Sequence, residues 1–338
     1  MPLNQQILLD SRPQDEAIAA NFKLVETETP ALQDGQVLVR NHFLSLDPYM
    51  RMRMSDRKSY AAPQPLGQVM IGGTAGEVVE SRSPRFKAGD QVVGMGGWQQ
   101  FSRFNAEAAG ALRKVDTTHV PLSHYLGAVG MPGVTAYYGL VKIIDPKAGQ
   151  TMVVSAATGA VGSAFAALSK ARGCRTVGIA GGVDKCSYAI KELGFDACID
   201  YKLYQDAGSL SAALGAVCPQ GIDGYFENVG GMVLDAVLPL MNDFGRIALC
   251  GMIAGYDGRP MPMSTPALIL TSRLKVQGFI VSEHMEVWPD ALKELGALVG
   301  SGKLRPRETI ADGIAAAPQA FLGLLKGKNF GKQLVKLI

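Results

Sequence analysis

Apolar residues along this chain keep two different rhythms. Up to about residue 124 they come in short runs broken by glycine, proline and aspartate: Val37, Leu38 and Val39 after the Asp34-Gly35 turn, then residues 76–79 and 91–93. Short runs between turn residues predict strands joined by tight connections, so this part reads as a mostly antiparallel β unit. From Gly127 onward strand-like runs alternate with helical patterns at intervals of 20 to 30 residues. That alternation predicts a parallel sheet covered on both faces. Its strands are expected at 152–155, 176–180, 197–200, 224–227, 246–250 and 275–281. Six such strands make one doubly wound α/β (Rossmann) dinucleotide unit. Beyond about residue 302 the pattern predicts a helix over 315–325 and a lysine-rich loop from Lys326 to Lys332. A last strand over 333–338 is expected to return to the β unit. The expected division is 1–124 with 302–338 as a discontinuous β domain, and 125–301 as the nucleotide domain.

The stretch 153–162 is the centre of the second pattern. A short apolar strand breaks into Ala157-x-Gly159-x-x-Gly162 and opens a helix of small residues, among them Ser163, Ala164, Ala166 and Ala167. This is the dinucleotide fingerprint with alanine at the first glycine position. Small residues are required because a phosphate must approach the backbone, where a helix N-terminus offers free N–H groups and partial positive charge. The strand before it and the next strand about a dozen residues after Gly162 supply the context that such a pattern needs.

Composition narrows the picture further. Apolar residues make up 47% and charged residues 19%, which excludes a disordered chain. Net charge is only +3 with dispersed lysines and arginines, so nucleic acid is not an expected partner. No apolar run approaches the roughly 18 residues of a membrane span. Residues 1–13 show neither a basic start nor an apolar h-region, and a cytoplasmic location is expected. Five cysteines, Cys174, Cys186, Cys198, Cys218 and Cys250, form no Cys-x-x-Cys pair. Their odd number argues for a reducing compartment, and their placement leaves the first half without a thiolate site. The four histidines, His42, His119, His124 and His284, lack ligand spacing, so no metal is expected.

Several stretches carry a resemblance over the whole length: residues 44–51 (Leu-Ser-Leu-Asp-Pro-Tyr-Met-Arg), 130–137, 156–162, 227–231 (Glu-Asn-Val-Gly-Gly) and 323–331. The chain resembles the zinc-independent medium-chain dehydrogenase/reductases, in the branch of leukotriene B4 dehydrogenase, the prostaglandin reductases and the plant alkenal double-bond reductases. Within that branch it most resembles the bacterial curcumin reductases. The resemblance implies a GroES-like catalytic domain beside the Rossmann domain, and a homodimer. Where zinc-dependent relatives carry Gly-His-Glu, this chain reads Ile71-Gly72-Gly73.

An NAD enzyme of this architecture places an acid at the end of the second strand. Here that strand ends Ile179-Ala180-Gly181-Gly182. Asp184 is expected to N-cap a helix over 185–193. Lys185 would then stand in a first turn, against the helix dipole, unless it meets a phosphate. The resemblance implies that Lys185 and Tyr201 contact the 2′-phosphate of NADPH, with Asp200 as an added negative charge nearby. It likewise assigns cofactor contacts to Thr135, Thr158, Gly159, Ala160, Val161, Gly162, Gly182, Asn228, Cys250, Gly251, Met252, Ile253, Tyr256, Phe279, Ile280, Val281 and Asn329. Read without it, Cys250 is a packing residue and the lysines around Asn329 a solubilising loop.

Hydride transfer needs an oriented nicotinamide and a group that stabilises the charge appearing on the substrate. For an alkene conjugated to a carbonyl that charge is an enolate, and a phenol is a suitable donor. Tyr49, beside Pro48, and Tyr256, in the glycine-rich turn after the fifth strand, are both candidates, and both line the substrate site if the resemblance holds. Met50, Met52 and Met54 read equally as an adaptable substrate wall or as core. Residues 257–271, rich in proline and methionine, are the expected seat of substrate choice. The leading expectation is an NADPH-dependent reductase of the C=C bond of α,β-unsaturated ketones or aldehydes. The alternatives are a quinone reductase and a non-catalytic NADPH-binding structural or sensory protein.

Overall fold

Alternating burial sets the strands of the computed structural model, which describes residues 3–29, 31–108 and 110–338. In chain order, β1 (Leu3–Leu9), β2 (Phe22–Glu28), β3 (Gln36–Ser45), β4 (Thr74–Ser81), β5 (Gln91–Gly94), β6 (Phe101–Asn105) and β7 (Leu112–Lys114) come first. Then follow β8 (Thr151–Ser155), β9 (Arg175–Ala180), β10 (Ala197–Asp200), β11 (Ile222–Glu227), β12 (Met241–Leu249) and β13 (Lys275–Gly278). The last two are β14 (Glu308–Asp312) and β15 (Lys332–Lys336). The chain divides into two units, Met1–Gly127 with Glu308–Ile338, and Ala128–Arg307.

In the first unit β1 and β2 pair antiparallel, and a seven-stranded sheet runs β14-β15-β3-β4-β5-β7 with β6 also on β3. Only β14 and β15 pair parallel; the rest is antiparallel. The final strand thus lies inside this sheet, between β14 and β3, with Leu334 and Val335 fully buried. Its core stacks Trp98 on Phe22 at 5.4 Å and sets Phe321 edge-on to Trp98 at 5.6 Å. Met50 and Met54 are fully buried in the same core beside Ile7 and Leu44, which settles them as core filling.

The second unit holds six parallel strands in the order β10-β9-β8-β11-β12-β13. Numbered within the unit this is 3-2-1-4-5-6, the Rossmann order, whose ligand crevice lies beyond the carboxyl ends of the strands. Each strand feeds two layers: Met152 and Val154 enter one core cluster and Val153 the other, while Phe226 and Tyr225 divide in the same way. That is why β8 is buried at every position. Two strand limits in this unit differ from expectation by more than two residues. β12 starts at Met241, through the exposed, left-handed Phe244 (φ 63°), and β13 stops at Gly278 because residues 281–283 turn into a 3-10 helix.

Candidate active site

The fingerprint occupies the turn between β8 and the helix Ala160–Ala171. Gly159 caps that helix in an extended conformation, and Ser163 N–H donates to its carbonyl at 2.9 Å. A Cβ at Gly162 would lie 2.5 Å from the Ala156 carbonyl oxygen and 2.6 Å from that of Ala157, so only glycine lets the helix start this close to the strand. The alanine at the first fingerprint position, Ala157, is fully buried, its N–H donating to Ile179 O at 3.1 Å. The left-handed backbone falls one residue earlier, at Ala156 (φ 51°). Thr158 is buried in the turn, and Ala160 and Val161 open the helix half-buried. The N–H groups of that first helical turn point to where a pyrophosphate would bind.

Next to it, a carboxylate locks the ends of β8 and β11 together. Glu227 is fully buried and accepts from Ser155 Oγ (2.8 Å), the Tyr225 hydroxyl (2.9 Å) and Val229 N–H (2.5 Å). Asn228 N–H donates to Ser155 Oγ and its side-chain amide to Ser155 O, both at 2.8 Å. The Glu227 carbonyl accepts from Cys250 N–H at 3.0 Å, which brings in the end of β12. Burial raises the Glu227 carboxyl above its ordinary range although these donors pull it down. Sequence reasoning used Glu227 only as part of a matched stretch; its position before Asn228 at a strand end was the available signal.

At the ends of β9 and β10 the cations gather. Gly182 (φ 107°) caps the helix Val183–Lys191, so Asp184 is not the N-cap expected of it. The helix begins two residues earlier than expected because Gly182 supplies the positive φ, and Asp184 falls in the first turn, where a carboxylate suits the dipole. Asp200 is held by the backbone: its Oδ1 accepts from Gly182 N–H at 2.8 Å and Lys202 N–H at 3.1 Å. A Cβ on Gly181 would meet Lys202 Cε and Tyr201 Cε1, each at 2.9 Å, so both side chains close over this glycine. Partial burial, and then the charge of Lys202, lower the Lys185 ammonium. Lys202 is the residue that sequence reading missed.

After β12 the chain passes Cys250, Gly251, Met252 and a short 3-10 helix Ile253–Gly255 to the half-buried Tyr256. A Cβ at Gly251 would stand 3.0 Å from the Tyr256 hydroxyl, which therefore lies against this backbone. Burial pushes the Cys250 thiol up to about 12, so it is a packing group and no nucleophile. The Met261 side chain, from the proline- and methionine-rich stretch, packs on the same turn, 3.2 Å from where a Gly230 Cβ would be. Phe279, Ile280 and Val281 follow β13; Phe279 packs on Tyr138 at 5.2 Å, at the end of the helix Met131–Tyr138 that carries Thr135. The Thr135 hydroxyl donates to Met131 O at 2.7 Å. In the second unit the stretches 156–162, 181–185, 201–202, 228–231, 250–256 and 279–281 thus follow the carboxyl ends of the six strands of one sheet, while Thr135 lies on a separate helix.

Two of the named residues belong to the first unit. Tyr49 begins the short helix Tyr49–Arg53 directly after Pro48. Burial, then the Asp47 carboxylate, raise its phenol far above the ordinary value, so it is a neutral donor at any working pH. Asn329 donates to Gly331 O at 2.7 Å, and Thr309 Oγ1 holds the next residue by bonding both its N–H and its carbonyl. Lys332, expected in the solubilising loop, is instead buried and opens β15. At Gly72 a Cβ would press to 2.8 Å from Leu44 Cδ1, so a packed core stands where a zinc ligand would be. Among the described residues no group of three or more His, Cys, Asp or Glu side chains is assembled for a metal.

Two family models match the chain: an N-terminal domain of oxidoreductase over residues 5–112 and a zinc-binding dehydrogenase over 160–297. The NADPH-dependent curcumin reductase of Escherichia coli is 44% identical over 99% of this chain and 97% of its own length. The chain is a medium-chain dehydrogenase/reductase. Other members of the family similar to it are the rat prostaglandin reductase 1, at 42% identity over 94% of both chains, and a tobacco NADP(+)-dependent 2-alkenal reductase. The tobacco enzyme is 42% identical over 89% of this chain and 87% of its own. The crystal structure of CurA from Vibrio vulnificus, solved also in complex with NADPH, superposes with a TM-score of 0.91 at 44% identity, covering 99% of each chain.

Proposed function

We propose that this medium-chain reductase uses NADPH to saturate the C=C bond of α,β-unsaturated ketones or aldehydes, without zinc. The observation that carries the cofactor choice is the strand end where Tyr201 and Lys202 close over Gly181, Lys185 feels the charge of Lys202, and Asp200 accepts from backbone N–H groups. These residues fit a 2′-phosphate, the Gly159–Gly162 turn fits a pyrophosphate, and the residues after β11, β12 and β13 would hold the nicotinamide half. Asn329 is assigned as a further contact from the first unit. When bound, NADPH supplies the hydride.

The chain's own task is then to steady the charge that develops on the substrate oxygen. An alkoxide from plain carbonyl reduction is a strong base that calls for a Lewis acid; an enolate is spread over three atoms and is met by a neutral hydroxyl. We assign that hydroxyl to Tyr49, which the Asp47-Pro48 turn sets at the start of the short helix Tyr49–Arg53 and which stays neutral there. Tyr256, set against Gly251, is assigned to cofactor and substrate positioning. The enzyme is further proposed to work in the cytoplasm, as a homodimer. Five cysteines without a disulfide support the first, and likeness to the family supports the second. Among the described residues no helix is long and apolar enough to cross a membrane.

NADPH oxidation against a panel of enones, enals and quinones, with product analysis, tests this reading. The expected product is the saturated carbonyl compound, and Tyr49→Phe should lower kcat about a hundredfold, the size of a lost oxyanion donor, with NADPH affinity little changed. An allylic alcohol as product, or turnover of quinones alone, would overturn it.

A further inference from the structure

In the first unit the charge pair of Lys332 and Asp47 is almost wholly removed from water. Lys332 is 4% exposed and Asp47 is 6% exposed. The ammonium donates to Asp47 Oδ1 at 2.6 Å and to the Leu46 carbonyl at 2.8 Å, and Ser45 Oγ donates to the other carboxylate oxygen. The lysine stem runs beneath Gly127, 3.5 Å from where a Cβ there would lie. Burying two charges is expensive, and an apolar pair of the same volume commonly serves stability as well or better. Fold stability alone therefore gives little reason for the pair.

Its place in the chain gives a better one. Asp47 precedes Pro48-Tyr49, and its carbonyl accepts from Met50 N–H at 3.1 Å, so its side chain anchors the turn that presents the phenol. Lys332 follows Gly331 (φ 77°) at the end of the loop that carries Asn329. Leu46 N–H bonds Gln333 O at 3.2 Å, which closes the same junction through the backbone. The ion pair is thus the side-chain link between the Tyr49 turn and the Asn329 loop. The Asp47 carboxylate accepts from the Lys332 ammonium on one oxygen and from Ser45 on the other, which holds it in place, and its charge is felt at the Tyr49 phenol.

We propose that Asp47 and Lys332 are positioning residues, whose buried ion pair fixes Tyr49 and the Asn329 loop in one arrangement for hydride transfer. This rests on the assignment of Tyr49 as the donor. The test is a kinetic cycle on the full-length enzyme with NADPH and an enone. Asp47→Asn with Lys332→Met removes both charges at nearly constant volume, and Tyr49→Phe is made in the parent and in this background. The double variant is expected to melt within a few degrees of the parent yet lose tenfold or more in kcat, and Tyr49→Phe should then cost less than threefold. Unchanged kcat in the folded double variant, or the same loss from Tyr49→Phe in both backgrounds, overturns the proposal. Full activity of Tyr49→Phe in the parent marks a different failure, that of the donor assignment, and the proposal falls with it. If the double variant does not fold, Ser45→Ala decides. It frees one carboxylate oxygen, and a threefold or greater loss of kcat at constant melting temperature supports the pair, whereas no loss refutes it.

Discussion

Two lysines that share one corner of a protein repel each other, and partial burial adds to the cost; Lys185 feels both, from the solvent it has lost and from Lys202. The opposite charge of a 2′-phosphate would offset both. A charge-assisted contact of this kind is worth roughly 1.5 to 3 kcal/mol. Lys185→Ala should therefore weaken NADPH about tenfold or more while leaving NADH nearly unchanged. Lys202→Ala should act in the same direction by a smaller factor, because Lys202 is the more exposed of the two. Titration of both cofactors against the two variants checks this, and equal losses for NADPH and NADH would remove the phosphate from this corner. Lysine is also a good spacer here: its flexible stem crosses Gly181, where a Cβ would come within 2.9 Å of it.

At the scale of elements, Glu227 joins the ends of β8, β11 and β12 through a carboxyl that burial makes harder to ionise. Its folded pKa lies above the ordinary 4.5, so the folded state holds this proton more tightly than the unfolded chain does. The stability this contributes is complete below about 4.5 and is lost as pH rises through the raised folded value. Glu227→Gln has no such titration. Its melting temperature, relative to the parent, should rise as pH is taken upward from 4.5; a difference independent of pH would contradict the assignment. The elements themselves were largely legible. The six parallel strands followed from apolar runs spaced by helical patterns, because strands covered on both faces have to be apolar throughout. The fingerprint marked the phosphate turn because Gly162 admits no side chain. What stayed hidden depended on distant partners. Lys332 looks like any loop lysine until Asp47, 285 residues away, is placed beside it. Lys202 gains meaning only when β9 and β10 set it over Gly181. Gly182 displaced Asp184 as the cap through a backbone angle that residue types alone do not reveal.

For the molecule as a whole, each unit carries one tryptophan, Trp98 in the first and Trp288 in the second. Deleting residues 332–338 removes β15 from between β14 and β3. In the truncated chain the emission of Trp98, read with Trp288→Phe in place, should shift to that of a solvent-exposed indole. The emission of Trp288, read with Trp98→Phe in place, should stay as it is in the complete chain. A native spectrum for Trp98 would mean that the sheet closes without its last strand. The same topology sets a timetable for synthesis. All six strands of the second unit have been made by residue 278, but β3 waits for a neighbour that begins only at residue 332. At about 5–20 residues per second, residues 43–45 of β3 stand without their β15 partner, beyond the stretch that β6 covers, for roughly 15–60 s, a period in which an open strand edge invites wrong partners. A chain that ends between residues 278 and 331 therefore has all six strands of the second unit but a Tyr49 turn that has never met Lys332. Only a chain extended through residue 336 completes the sheet beside the Tyr49 turn.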